Sequence, residues 1–235
     1  MRRMTVFAAV LVVLMLALAG PGVRLGLWTI GTGFHLMKWG AYLGLAAAAV
    51  ALVLLLVPAW RGPSALPLLG AIGLGLVSAG VPWFWRHRAE QVPPIHDITT
   101  DVRHPPEFVA VLPLRANAPN PATYGGNEVA EAQERAYPDI RPLELASVPP
   151  AAAFARALAA VRAEGWELVA ADSSAGRIEA TATTGWFGFK DDVVVRIETQ
   201  GAGSKVDVRS VSRVGGSDVG TNARRIREYL RRVAG

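Results

Sequence analysis

The stretch GWFGFKDDVVVRIETQGAGSKVDVRSVSRVGGSDVGTNARRI, residues 185–226, decides the fold. Within it, residues 192–200 and 205–213 alternate apolar and polar side chains, and the small residues 201–204 between them have hairpin chemistry. Successive side chains of a strand point to opposite faces, so Val193, Val195 and Ile197 share an inner face with Val206, Val208, Ser210 and Ser212. Asp192, Arg196, Glu198, Asp207, Arg209 and Arg213 share the outer one. That outer face reads as a solvated sheet laced with cross-strand ion pairs, each stabilising by about 0.2–1 kcal/mol. Gly215, Gly216 and Gly220 then make a flexible turn into a basic helix over 221–233 with an apolar stripe of Ile226, Tyr229, Leu230 and Val233.

The pattern continues upstream. Residues 166–171 and 177–184 alternate, with a turn at 173–176 between them. A helix over 149–163 carries Phe154, Ala157, Leu158 and Val161 on one face and is closed by Gly165; residues 140–147 read as a short strand before it. The order β-α-β-β-β-β-α implies an α+β domain over 139–235, an antiparallel sheet with two helices on one face. A proline-rich tether with a short helix, Asn127 to Ala136, occupies 91–138, lying over the domain or a membrane surface.

The runs FGFKDD and VDVRSVSRVGGSDVGTNARRI, with PPIHDITTDVRHPPEF and AYPDIRPL ahead of them, resemble a widespread bacterial family known as domain of unknown function 1499, in its membrane-anchored branch. The resemblance covers residues 95–235 and implies a domain boundary but no activity. Some members carry a CPxSPNC segment ahead of the domain; this chain has no cysteine, so nothing that segment does carries over.

Residues 1–90 read as a membrane region. A basic start and an apolar run over 1–22 form a signal peptide or a first anchor. The runs at 40–59 and 65–85 are each long enough to span roughly 30 Å of hydrocarbon, and the five-residue connector between them forces an antiparallel hairpin. None contains a charge at mid-depth, which argues against a transporter or proton channel. Ala71, Gly75 and Ala79 form one small-residue ridge and Gly40, Gly44 and Ala48 another, suited to helix contact within the chain's membrane part or with a partner.

Charge follows the same division. The chain carries 24 Lys or Arg and 19 Asp or Glu, and seven of the bases lie before residue 90 with no acid among them. The remainder is nearly neutral, so the excess suits lipid head groups rather than nucleic acid. The absence of cysteine excludes disulfides and thiol chemistry, and all four histidines precede residue 105, which removes a Ser-His-Asp triad from the domain.

Seven residues are candidates for binding: Asp191, Asp192, Arg209, Arg213, Asp218, Asn222 and Arg225. Asp191 and Asp192 are adjacent on a strand, point to opposite faces and cannot share a proton or a metal without a bulge. Asp191 is expected on loop amides and Asp192 on an arginine. Asp218 is expected to cap the last helix and pair with Arg213; the sharper alternative is an anion held by Arg213, Arg224 and Arg225 at that helix N-terminus. Trp186, Phe187 and Phe189 are expected as hairpin packing, with membrane or partner contact as the alternative. His96, Asp97, Asp101 and His104 are a polar linker rather than a metal site, and neither metal nor cofactor is expected.

These readings describe a multi-pass inner-membrane envelope protein with its C-terminal domain outside the cytoplasm, serving as a non-catalytic binding or assembly module. Its expected partners are membrane lipid and a membrane protein or second copy. The alternatives are an enzyme using Asp191 or Asp192 with Arg209 and Arg213 on an anionic or lipid-derived substrate, and an accessory subunit of a larger membrane complex.

Overall fold

The apolar runs wind into helices in the computed structural model, which describes residues 1–235. The chain divides into two units: Met1–Arg88 with Gly185–Gly188, and Ala89–Thr184 with Phe189–Gly235.

In the first unit, α1 (Arg2–Arg24), α2 (Ile30–Leu56) and α4 (Leu66–Glu90) are long and apolar enough to cross a membrane, and α3 (Pro58–Arg61) lies in the connector. Helix α2 starts ten residues ahead of the expected span because the Thr29 hydroxyl accepts from the Thr32 amide and caps it. At 27 residues it is about 40 Å long, more than the hydrocarbon requires, so His35 and Lys38 belong to its first turns. The small-residue ridges pack within the unit. A side chain on Gly75 would strike the Gly44 carbonyl and the Ala48 Cβ, and one on Gly44 would strike Ser78. Ala47, Ala51 and Leu54 meet Leu68 and Ala71 with Ala9 of α1 in one buried cluster. In this unit Trp186 lies over Gly20 and donates Nε1–H to the Ala17 carbonyl at 3.3 Å, and the Phe187 ring centroid is 5.3 Å from that of Phe34. Trp186 and Phe187 thus pack on the chain's own apolar helices, which is neither the hairpin packing nor the membrane or partner contact expected of them.

The second unit contains β1 (Asp97–Thr99), a 3-10 turn (Leu112–Arg115), α5 (Gly126–Ala136), β2 (Leu143–Leu145), α6 (Pro150–Ala163), β3 (Glu167–Asp172), β4 (Arg177–Thr183), β5 (Lys190–Gln200), β6 (Gly203–Ser212) and α7 (Thr221–Ala234). The sheet is antiparallel in the order β1-β6-β5-β4-β3, and β2 also pairs with β6. The β5–β6 hairpin closes through Gly201 and Ala202, with Gly201 at φ 59, the positive value such a turn needs at its first position. The outer edge of β6 is shared, β1 taking residues 209–211 and β2 residues 204–206. Strand β2 is shorter than the expected 140–147 because only Leu143–Leu145 reach that edge.

Helices α6 and α7 cover the inner face. Ala153, Ala157 and Ala160 of α6 and Ala223, Ile226, Tyr229 and Val233 of α7 close over Ile178, Ala180, Val193, Val195, Val206 and Val208. Alanines on the buried face let α6 sit close to the sheet, with Phe154 and Leu158 packed at its margin. Tyr229 is wholly buried, donates to the Ala157 carbonyl at 2.9 Å and stacks on Trp166.

The outer face is the main departure from expectation. The segment read as a tether supplies β1 and then crosses this face, laying Phe108 and Val111 on Val194 and Val211. Three of the charged outer residues are therefore buried instead of solvated, Asp192 and Asp207 with no exposed area and Arg209 with only 2%, while Arg196 and Arg213 are part-buried and Glu198 stays exposed. Where the segment leaves the edge, Gln133 of α5 donates to the Thr99 carbonyl at 2.6 Å and accepts from its amide at 2.9 Å, completing the edge as another strand would.

Candidate functional site

The outer face holds four ion-pair groups. Asp192 receives Arg213 through two bonds, Nε to Oδ2 at 2.9 Å and Nη2 to Oδ1 at 2.8 Å; Thr181 donates to it at 2.8 Å and Arg115 Nη1 stands 3.2 Å away. Arg213 and Arg115 are anchored by carbonyls of the crossing segment, Leu114 for the first, Asn120 and Pro121 for the second. The hydrogen bond to Asp192 holds the Arg213 guanidinium above its ordinary pKa, whereas burial pulls that of Arg115 down despite the nearby carboxylate.

Arg209 meets Asp97 of β1 as a second two-bond pair, at 2.9 and 2.7 Å. Its remaining donors go to the carbonyls of Pro106 and Ala122, and its guanidinium lies 5.1 Å from the Phe108 ring centroid and 5.4 Å from that of Tyr124. Burial, with the Asp97 charge, pushes the Tyr124 hydroxyl up to about 12.

Glu179 of β4 is wholly buried beneath the crossing segment and accepts from three consecutive amides, Val109, Ala110 and Val111, at 2.9–3.1 Å; Arg177 Nε is 3.2 Å from it. Further along, Asp207 takes Arg196 at 2.8 Å, Thr100 at 3.1 Å and Lys205 at 3.1 Å.

On the helix side, Asp191 accepts from Arg225 Nη2 at 2.6 Å. Arg225 also donates to Ser210 and to the Asn222 carbonyl oxygen, which in turn accepts from Ser210 at 2.7 Å. The Asn222 amide donates to the His96 carbonyl and to Ser212. Asp218 accepts from the Asn222 and Gly220 amides at 2.7 and 2.9 Å, so it fills the N-terminus of α7 itself. Burial raises its carboxyl, and these amides only partly offset that.

The seven candidates thus divide between two places. Asp191, Asp218, Asn222 and Arg225 gather on the helix side, while Asp192, Arg209 and Arg213 lie on the outer face in two separate pairs. Two expected pairings are corrected. Arg213 belongs to Asp192 and not to Asp218, because the two lie on opposite faces of the sheet; Asp191 pairs with Arg225 and not with loop amides, because α7 brings that guanidinium over the end of β5. His96 offers its backbone carbonyl, Asp97 is held by Arg209, and Asp101 accepts from the amides of Arg103 and His104. These residues make no metal-binding group. Glu179 and Arg115 were missed. Strand alternation with Arg177 and Thr181 already placed Glu179 outward; no periodicity marks Arg115, which sits in an irregular, proline-rich stretch.

Fold and site define an α+β domain with ion pairs sealed on one sheet face, joined in the same chain to three helices of membrane-spanning length and composition. A family model described as "Protein of unknown function (DUF1499)" matches residues 97–233, and the chain belongs to that family. The match opens on Asp97, the partner of Arg209, and so takes in the crossing segment as well as the regular strands. No curated protein matches the chain.

Proposed function

We propose that this chain is a membrane-anchored envelope protein, its domain outside the cytoplasm, working as a non-catalytic binding or assembly module. The observation that carries the reading is the saturation of the candidate carboxylates. Asp191, Asp192 and Asp218 each already accept from arginine or backbone donors, and Asp191 and Asp192 point to opposite faces. An enzyme working through this pair with Arg209 and Arg213 would need groups that converge on one reacting atom. Buried, mutually satisfied charges instead suit a rigid support that presents its surface to something else.

Three spans would put the two ends of the membrane region on opposite sides, with Arg2, Arg3 and Arg61 on the starting side and Arg24, Lys38, Arg86 and Arg88 on the other, a distribution that runs against the usual excess of bases on the cytoplasmic side. Membrane lipid and a membrane protein or second copy are the partners this reading entails. Isolation of the intact chain from its native membrane in mild detergent, followed by mass spectrometry, tests it. A stoichiometric protein or lipid companion supports the module; a bare chain that turns over a lipid-derived substrate overturns it. A reporter fused after Gly235 tests the orientation, and a signal from one that works only in the cytoplasm would reverse it.

A further inference from the structure

The outer face carries a cleft that none of these networks fills. It has a volume of about 540 Å³, within the range of small-molecule sites, and lies between the crossing segment and strands β4 and β5. Arg103, His104, Arg177 and Arg196 line it against a single acid, Glu107, and Val109, half exposed, supplies an apolar wall.

Two of these cations stand in an arrangement that protein alone disfavours. Arg177 and Arg196 are direct cross-strand partners, and like charges directly opposite destabilise a sheet. Each shares its carboxylates with other donors. Arg177 has Glu179, whose oxygens already take four bonds from the Val109–Val111 amides, and Asp172, its cross-strand partner on β3, whose Oδ1 is taken by Ser174 and the Ala175 amide. Arg196 shares Asp207, Asp101 and Glu198 with Lys205, and its Nε lies 3.6 Å from Glu198 without a hydrogen bond. Arg103 is exposed at the rim and has no ion pair; its backbone amide alone is engaged, on Asp101. An oxyanion in the cleft would be met by Arg103, which has no carboxylate of its own, and by the part-exposed guanidinium of Arg177, and would offset the like charges that face each other across β4 and β5.

We propose that this cleft binds a phosphomonoester or phosphodiester whose organic part lies against Val109. This inference rests on the binding-module reading and gives it a ligand class. The same chemistry occurs in a lipid head group and in a soluble sugar or glycerol phosphate.

The test uses the full chain. In detergent micelles, glycerol 3-phosphate is titrated calorimetrically, with inorganic phosphate for comparison; nanodiscs of phosphatidylglycerol are compared with nanodiscs of phosphatidylcholine for protection of residues 103–109 from hydrogen exchange. Saturable glycerol 3-phosphate binding, tighter than phosphate, identifies a soluble ligand. Protection by phosphatidylglycerol alone identifies a lipid. In either case R103Q, which touches no buried network, and R177Q each weaken binding by about tenfold, the loss of one charge-assisted contact. No binding of either probe, or binding by both variants as tight as that of the unaltered chain, overturns the proposal. A companion that co-purifies from native membranes undiminished by R103Q and R177Q also overturns it, while leaving the binding-module reading intact.

Discussion

Asp191 and Asp192, adjacent in sequence, are both buried and project from opposite faces of β5, the first onto Arg225 of α7 and the second onto Arg213 at the end of β6. Each carboxylate is committed to its own arginine, and the sheet separates them. This makes the pair a device that ties both faces to one strand, and it removes the ground for treating them as a catalytic dyad.

The Arg209–Asp97 pair predicts asymmetric stability effects. Arg209→Ala leaves Asp97 buried without a partner and should cost about 3–5 kcal/mol, whereas the double change Arg209→Met, Asp97→Leu should cost clearly less, because no lone charge remains. Urea titrations of the detergent-solubilised chain measure both; equal losses would contradict the assignment.

Gln133 predicts a local effect. Gln133→Leu removes both bonds to the Thr99 backbone and should destabilise by about 1–3 kcal/mol, with faster hydrogen exchange concentrated at Thr99. Exchange that rises uniformly across the sheet would count against an edge-completing role.

Asp218 and Asp101 predict opposite responses to acid. The Asp218 carboxyl is raised by burial, so the folded chain holds a proton the unfolded chain has released, and stability should rise as pH falls through the folded pKa towards roughly 4. Burial also raises Asp101, but the amides of His104 and Arg103, with Lys205 and Arg196, outweigh it and hold the carboxyl low. Its contribution is present above roughly pH 4 and lost as pH falls through the lower folded value. Asp218→Asn should abolish the gain above that pH and Asp101→Asn the loss below it, read from urea midpoints across the acid range.

Within the apolar helices, Gly75→Leu forces α4 away from the Gly44 carbonyl and should cost about 1–3 kcal/mol, while Gly73→Leu, which meets open space, should cost little. Protease resistance of the two variants in micelles separates them.

Much of this was legible in the sequence. Alternation along 192–213 placed every inward valine and every outward arginine correctly, because a strand has only two faces. Asp218 was readable as a helix cap from its place before the basic helix. The burial of the outer face was not readable, because what buries it lies far away in the chain: Asp97 and Arg209 are 112 residues apart. The segment between carries Pro105, Pro106 and Pro113, which interrupt both helix and strand periodicity and hide the anchors Phe108, Val111 and Arg115. The small-residue ridges were visible, but their spacing alone does not say whether they meet a partner or each other.

The outer-face charges hold the crossing segment to the sheet. Hydrogen exchange of the full chain with Asp192→Ala tests it most directly, since this change strips the shared partner from Arg213 and Arg115 at once. The account predicts that protection falls together in residues 108–121 and in β4 to β6. Unchanged protection in both, with loss of a measurable activity, would contradict it and return Asp192 to chemistry.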